Sequence, residues 1–176
     1  KEATLWLIPC MSYALPLVLS HEGGHSCRWA WDKTFRRDAI KTQTFGWGGG
    51  ATTDLAHYAK LDNRKVYLFD TFEGFSNKDL KGIDADKEMK FSDTSLDLVK
   101  NVIGQNSDCC EFIAGYFPDS LLDSHKNNKY AVVSLDCDLY EPMKAGLDFF
   151  YPLMSKGGIL LLHDYSSLYW AGAKNA

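Results

Sequence analysis

The chain has 176 residues, 45% of them hydrophobic and 14% aromatic, and a formal net charge of −4. This length predicts one domain able to bury a substantial core, and the composition excludes an intrinsically disordered chain. The acidic balance argues against a nucleic-acid partner, since binding a phosphate backbone needs concentrated Lys and Arg. Five cysteines, Cys10, Cys27, Cys109, Cys110 and Cys137, form an odd set with an adjacent pair and no C-x-x-C. Free thiols in a reducing, cytoplasmic compartment follow as the expectation.

Residues 1–40 show few element signals and are set apart as an N-terminal segment from a domain over 41–176. Residues 5–19 are apolar, but Pro9 and Pro16 interrupt them and no basic stretch precedes them. The run is too short to cross a bilayer as a helix, so no membrane partner is predicted. Such a segment instead packs on its own domain or on a second subunit, which points to a homo-oligomer. His21-Glu22-Gly23-Gly24-His25 matches the zinc-protease signature H-E-x-x-H. That chemistry requires both histidines on one helical face. Two central glycines each cost about 1 kcal/mol of helix stability relative to Ala. A glycine-rich loop with solvated histidines is the better reading. Residues 29–37 mix aromatic and basic side chains, as a surface or interface helix would.

A better-defined unit follows. Phe45-Gly46-Trp47-Gly48-Gly49-Gly50 reads as a glycine turn, 51–60 as a helix, and 65–69 (KVYLF) as a buried strand ending on Asp70. Strand, glycine turn, helix, strand and acid is the pattern of a nucleotide-binding half-fold. Its glycines admit a ligand close to the backbone, and its acid accepts hydrogen bonds from ribose. The acid follows the glycines by roughly 20 residues, as such units require. A nicotinamide enzyme would use the same acid, but the usual G-x-G-x-x-G spacing is missing. Residues 77–90 are charged and aperiodic, predicting a lid loop or a solvated insertion. Ser92 or Asp93 is the expected cap of a helix over 94–103, closed by Gly104. Residues 111–114 form a short predicted strand, and 119–125 a helix or turn.

The stretch from 129 to 164 organises the rest. Two apolar runs, 130–135 and 159–162, read as buried parallel strands. A crossover helix over 139–154 joins them, ended by Gly157-Gly158. Asp136 and Asp138 follow the first strand, and His163 and Asp164 the second. Adjacent parallel strands bring their carboxyl ends together, so Asp136, Asp138 and Asp164 should converge. Clustered carboxylates repel one another, and a hard divalent cation (magnesium, calcium or manganese) relieves that cost. His163 adds a nitrogen ligand or a supporting donor. Side chains alternate along a strand, so both His163 and Asp164 reach the ion only if the strand has already ended. A carboxylate left over from the metal and close to a substrate hydroxyl serves as general base. Residues 165–170 are aromatic, suited to walling a pocket.

FDTFEGF at 69–75, AGYFPDSL at 114–121, LDCDLYEPMKAGLDFFYPLMSKGG at 135–158 and HDY at 163–165 together resemble the macrocin O-methyltransferase (TylF-like) family. The resemblance covers roughly residues 43–176. It implies an α/β fold of the three-layer, Rossmann-like class I methyltransferase type with a mostly parallel sheet. It also implies S-adenosylmethionine as cofactor and a small-molecule or sugar hydroxyl as methyl acceptor. By position, Gly46, Gly48 and Gly49 would pass the methionine part of the cofactor, and Asp70 would hold its ribose. Thr71, Gly115 and Asp136 would complete the cofactor-facing set. Asp136, His163 and Asp164 would ligate a divalent cation, with magnesium expected, and Asp138 would be the catalytic base.

The chain departs from the family pattern in three places. Gln43 and Thr44 stand where an acid usually precedes the glycine turn. His163-Asp164-Tyr165 replaces Asp-Asp-Tyr. The chain also stops before the further strands that close the sheet in relatives, implying a fragment or an exposed sheet edge. The alternative is a degenerate methyltransferase fold that binds without catalysing.

Overall fold

In the computed structural model, residues 17–20, 49–88 and 91–176 are described. Five strands make one sheet in the order β3-β2-β1-β4-β5. They are β1 (Leu17–Ser20), β2 (Val66–Asp70), β3 (Cys110–Ala114), β4 (Tyr130–Leu135) and β5 (Met154–Leu162). β3 runs parallel to β2, and β5 parallel to β4. β1 lies between β2 and β4, antiparallel to both. β2 and β4 therefore point the same way, and four carboxyl ends share one edge of the sheet. The sequence reading assigned no element to Leu17–Ser20; four residues directly after Pro16 are too few to show a periodicity.

The alternation of side chains along β2 divides the core. Val66 and Leu68 face Leu55, Ala56 and Ala59 of α1 (Gly49–Leu61), together with Ile103 of α2 (Leu96–Ile103). Tyr67 and Phe69 face Met143 and Phe150 of α4 (Tyr140–Phe150) and Ala173 of α5 (Ala171–Asn175). Helices thus cover both faces of a mostly parallel sheet, as the resemblance implies. β2 and β4 are buried on both sides, which is why their sequences are almost continuously apolar. β4 carries an irregularity: Leu19 pairs with Val132 but Ser20 with Tyr130. The extra residue flips the alternation, so Tyr130 joins Val133 and Leu135 on the α4 side.

Several boundaries differ from those predicted. α2 opens at Leu96 and its cap is Ser95, whose hydroxyl accepts from Leu98 N–H at 3.2 Å. Neither Ser92 nor Asp93 is the cap. Gly104, at φ +63, ends the helix as expected. The crossover helix stops at Phe150 and passes through a 3-10 turn, Tyr151–Leu153, because Pro152 has no N–H to continue the ladder. Gly157-Gly158 does not end the helix. It lies inside β5, where Tyr130 pairs with Met154 but Val132 with Ile159. Gly157, at φ +80, supplies the backbone freedom for that bulge. The predicted helix or turn at 119–125 resolves into a turn and the single-turn helix α3 (Asp123–Lys126). Its His125 is buried between Tyr67 and Phe69.

Residues 76–88 are a strap bound to the sheet edge in place of a solvated insertion. Tyr116 O–H donates to buried Asp79 at 2.6 Å, and Tyr140 N–H donates to fully buried Asp84 at 2.7 Å. Among the described residues, no helix is long and apolar enough to cross a membrane. The H-E-G-G-H motif and residues 29–37 lie outside the described residues.

Candidate active site

The topology gathers acids at the shared edge. Asp70 is the last residue of β2, Asp136 follows β4 directly, and His163 and Asp164 follow β5. The helices that follow β2 and β4 pack on opposite faces of the sheet, and open α/β sheets bind ligands at the strand ends where crossovers diverge in this way. One carboxylate oxygen from each of Asp136, Asp138 and Asp164 lies within 4.8 Å of the others. His163 Nδ1 is 3.7 Å from Asp136 Oδ2. Asp70 belongs to the same neighbourhood. Burial pushes the Cys137 thiol well above its ordinary value, and the charges of Asp136, Asp138 and Asp70 push it further in the same direction.

The local backbone explains how adjacent residues share one target. His163 N–H donates to the Leu135 carbonyl at 2.9 Å, continuing the ladder one step past β5. Asp164 then takes φ +55 and leaves the strand. His163 and Asp164 consequently both face Asp136, where a continuing strand would send them to opposite sides. Asp138 stands at φ +59. The Leu139 N–H donates to the Cys137 carbonyl, closing a three-residue turn around it. Both acids occupy the left-handed region, sparsely populated by residues other than glycine and enriched at functional sites.

Burial dominates the electrostatics. It pushes the Asp136 carboxyl up to about 6; His163 lowers it, and the Asp164 charge raises it again. Asp136 Oδ1 and Asp164 Oδ2 are buried and have no hydrogen-bond partner among the described residues. Close-set carboxylates with uncompensated oxygens fit a hard divalent cation, which favours an all-oxygen donor set. The fit extends to Asp138, which lies within the same 4.8 Å as the two predicted ligands Asp136 and Asp164. His163 approaches the cluster through Asp136.

The Asp70 loop is organised differently. Asp70 Oδ1 accepts from Phe72 N–H at 2.6 Å, and Thr71 donates its hydroxyl to the Gly74 carbonyl at 2.7 Å. Thr71 also accepts from Glu73 N–H at 3.2 Å, so its side chain shapes the loop that presents Asp70. Burial raises the Asp70 carboxyl to about 6 against the pull of these donors. Gly115 sits beside it, donating its N–H to the Asp70 carbonyl at 2.9 Å. Gly49 is the first residue of α1, while Gly46 and Gly48 lie outside the described residues.

Sequence reasoning missed Asp79, Tyr116 and Asp84, the anchors of the strap. One signal was present. Leu139 occupies the cap position of α4 and cannot cap a helix with its side chain, so the cap had to come from elsewhere in the chain.

A Rossmann-like sheet with acids at the tips of β2, β4 and β5 defines the class I methyltransferase fold. The family model for macrocin O-methyltransferase (TylF) matches residues 38–174. The chain belongs to that family. It is 27% identical over 136 residues to the 8-demethyl-8-(2,3-dimethoxy-alpha-L-rhamnosyl)-tetracenomycin-C 4'-O-methyltransferase of Streptomyces olivaceus, a match covering 70% of this chain and 52% of that protein. The chain thus spans about half the length of this curated relative. Among solved structures it resembles the calicheamicin methyltransferase CalS11, with TM-score 0.60 and 21% identity over 72% of this chain and 58% of that one. It also resembles the O-methyltransferase NovP, with TM-score 0.52 and 24% identity over 64% and 52%. At those identities the likeness speaks for the fold.

Proposed function

We propose that the protein transfers a methyl group from S-adenosylmethionine to a hydroxyl of a small molecule, in particular of a sugar on a glycosylated natural product, with a divalent cation assisting. The observation that carries this reading is the convergence of Asp136, Asp138 and Asp164 within 4.8 Å at one sheet edge, in a chain of this family. The relative from Streptomyces olivaceus is named for methylating a rhamnosyl sugar, which supports the acceptor class.

The roles follow from position and chemistry. Asp70, presented by its own loop, accepts hydrogen bonds from the ribose hydroxyls. Gly46, Gly48 and Gly49 would let the cofactor approach the backbone, as the family resemblance implies, and Gly115, bonded to the Asp70 carbonyl, would lie near it. Asp138 would take the proton from the acceptor hydroxyl as the oxygen bonds the methyl carbon and that carbon parts from the sulfonium sulfur, leaving S-adenosylhomocysteine. Asp136 and Asp164 would hold the cation, with the Asp138 charge within 4.8 Å of both adding to its attraction, and His163 would orient Asp136 from 3.7 Å. When bound, magnesium or a similar ion supplies positive charge to the acceptor oxygens and to the alkoxide that develops. The remaining contribution of the chain is alignment of the acceptor with the methyl group.

Calorimetry with S-adenosylmethionine and S-adenosylhomocysteine tests the cofactor half, and binding of neither removes the reading. Incubation with S-adenosylmethionine, magnesium and a panel of rhamnosylated acceptors tests the rest. The tetracenomycin glycoside named for the relative is the first compound to try. Cofactor binding without transfer to any member would favour the degenerate binding fold.

A further inference from the structure

We propose that Asp84, 56 residues away in sequence from the helix it caps, is a positioning residue that holds the Asp138 turn in place; the role rests on the O-methyltransferase reading above. An α-helix leaves its first N–H groups without partners inside the helix. Those of α4 have no local remedy, because Leu139 at the cap position is apolar, fully buried and makes no side-chain cap bond. Asp84 Oδ2 supplies the acceptor, taking the Tyr140 N–H at 2.7 Å. Its carboxylate lies at the positive end of an eleven-residue helix, where negative charge is stabilised. Gly172 of α5 closes the other side: a Cβ there would collide with both Asp84 oxygens and with the Tyr140 nitrogen. The carboxylate is enclosed between two helices and has no room to swing away.

Tyr140 lies two residues after Asp138. The segment between β4 and α4 is short and holds Asp138 at φ +59 inside a three-residue turn. Asp tolerates this region better than most residues with a Cβ, so what keeps Asp138 there is the pair of contacts that hold the two ends of the segment. The ladder bond from His163 N–H to the Leu135 carbonyl fixes the β4 end, and Asp84 fixes the α4 end. The strap carrying Asp84 is itself anchored beyond β3, where Tyr116 bonds Asp79. The placement of Asp138 beside Asp136 and Asp164 is thereby tied to the loop that leaves the Asp70 tip.

The test compares full-length wild type with Asp84→Asn, Asp84→Ala and Gly172→Ala. Each is measured by amide hydrogen exchange, by Mn2+ binding followed with electron paramagnetic resonance, and by calorimetry with S-adenosylhomocysteine. Asn keeps a carbonyl oxygen for Tyr140, Ala removes it, and Gly172→Ala leaves Asp84 in the chain but forces it off its seat. Asp84→Ala and Gly172→Ala should speed Tyr140 amide exchange and weaken Mn2+ binding by about tenfold each, the scale of a lost helix cap. Asp84→Asn should restore both to nearly wild-type values, with S-adenosylhomocysteine affinity unchanged throughout. Folded Asp84→Ala with wild-type exchange and Mn2+ affinity overturns the proposal. So does a loss of S-adenosylhomocysteine affinity in step with Mn2+, which would mark a general structural role. If Asp84→Ala does not accumulate, a wild-type result for Gly172→Ala overturns it equally. Wild type that binds neither probe removes the methyltransferase reading and the positioning role with it, whereas wild type that binds both while every variant matches it removes the positioning role alone.

Discussion

At the tip of β2, Asp70 is half-buried against its own loop: Phe72 N–H reaches its carboxylate at 2.6 Å. At the tips of β4 and β5, buried Asp136 and half-buried Asp164 lie beside each other and a third acid, with Asp136 Oδ1 and Asp164 Oδ2 unpartnered among the described residues. Burial raises Asp70 and Asp136 alike, to about 6, so desolvation alone does not distinguish the two tips. Compensation does. The first tip accepts from the Phe72 amide and the Thr71 hydroxyl and suits neutral hydroxyl donors. The second carries like charges in low dielectric, a cost that a cation removes. Under the proposed function, one edge of a sheet would serve a ribose and a metal with the same residue type, according to what the following loop donates.

Removing the proposed base should give the largest effect. Asp138→Asn is expected to lower methyl transfer by about 10²- to 10⁴-fold, the usual worth of a general base. S-adenosylhomocysteine affinity should stay near wild type. Next, Asp70→Ala should weaken S-adenosylmethionine binding by about 10- to 100-fold, since hydrogen bonds to a charged group contribute about 1.5–3 kcal/mol. Mn2+ affinity should be untouched, and a parallel loss of both ligands would erase the distinction between the tips.

Asp136→Asn should act in opposite directions with and without metal. Without a cation it removes a charge that burial disfavours and should stabilise the protein by about 1–3 kcal/mol at neutral pH. It should also abolish the rise in melting temperature that magnesium gives the wild type. A destabilised, metal-free Asp136→Asn would mean that the second tip is internally compensated after all.

The smallest effect concerns pH. The folded chain keeps the Asp70 proton up to about pH 6, whereas an unperturbed carboxyl releases it near 3.8. Between those values the folded state binds more protons, so the Asp70 contribution to stability declines as pH rises through the window and is level above it. Ribose hydroxyls prefer the ionised carboxylate, so cofactor affinity should rise over the same window, by at most about tenfold per pH unit, and then flatten. Calorimetry from pH 5 to 8 on wild type and Asp70→Asn reads this directly, and equal slopes would remove Asp70 as the titrating group.

Much of the frame was legible in the chain because burial on both faces leaves a local trace. Residues 66–69 and 130–135 are almost continuously apolar, Ser134 being the exception, and such a run has few homes outside the middle of a layered sheet. An acid directly follows each run, and Gly104 closes its helix as read, whereas the cap at Ser95 and the helix end at Pro152 fall beside the residues expected for them, because several nearby groups could serve equally well. Other features depend on contacts between distant segments, which no periodicity records. Leu17–Ser20 is a central strand only because β2 and β4 flank it. His163 and Asp164 face the same partner only because the chain turns at φ +55. Asp84 caps a helix 56 residues away. The amino-acid sequence by itself determined which groups could do chemistry and which runs had to be buried, since both follow from side-chain type. Tertiary structure alone decided which acids meet, and which are compensated when they do, because the free energy of a buried charge depends on the donors and charges that folding places around it.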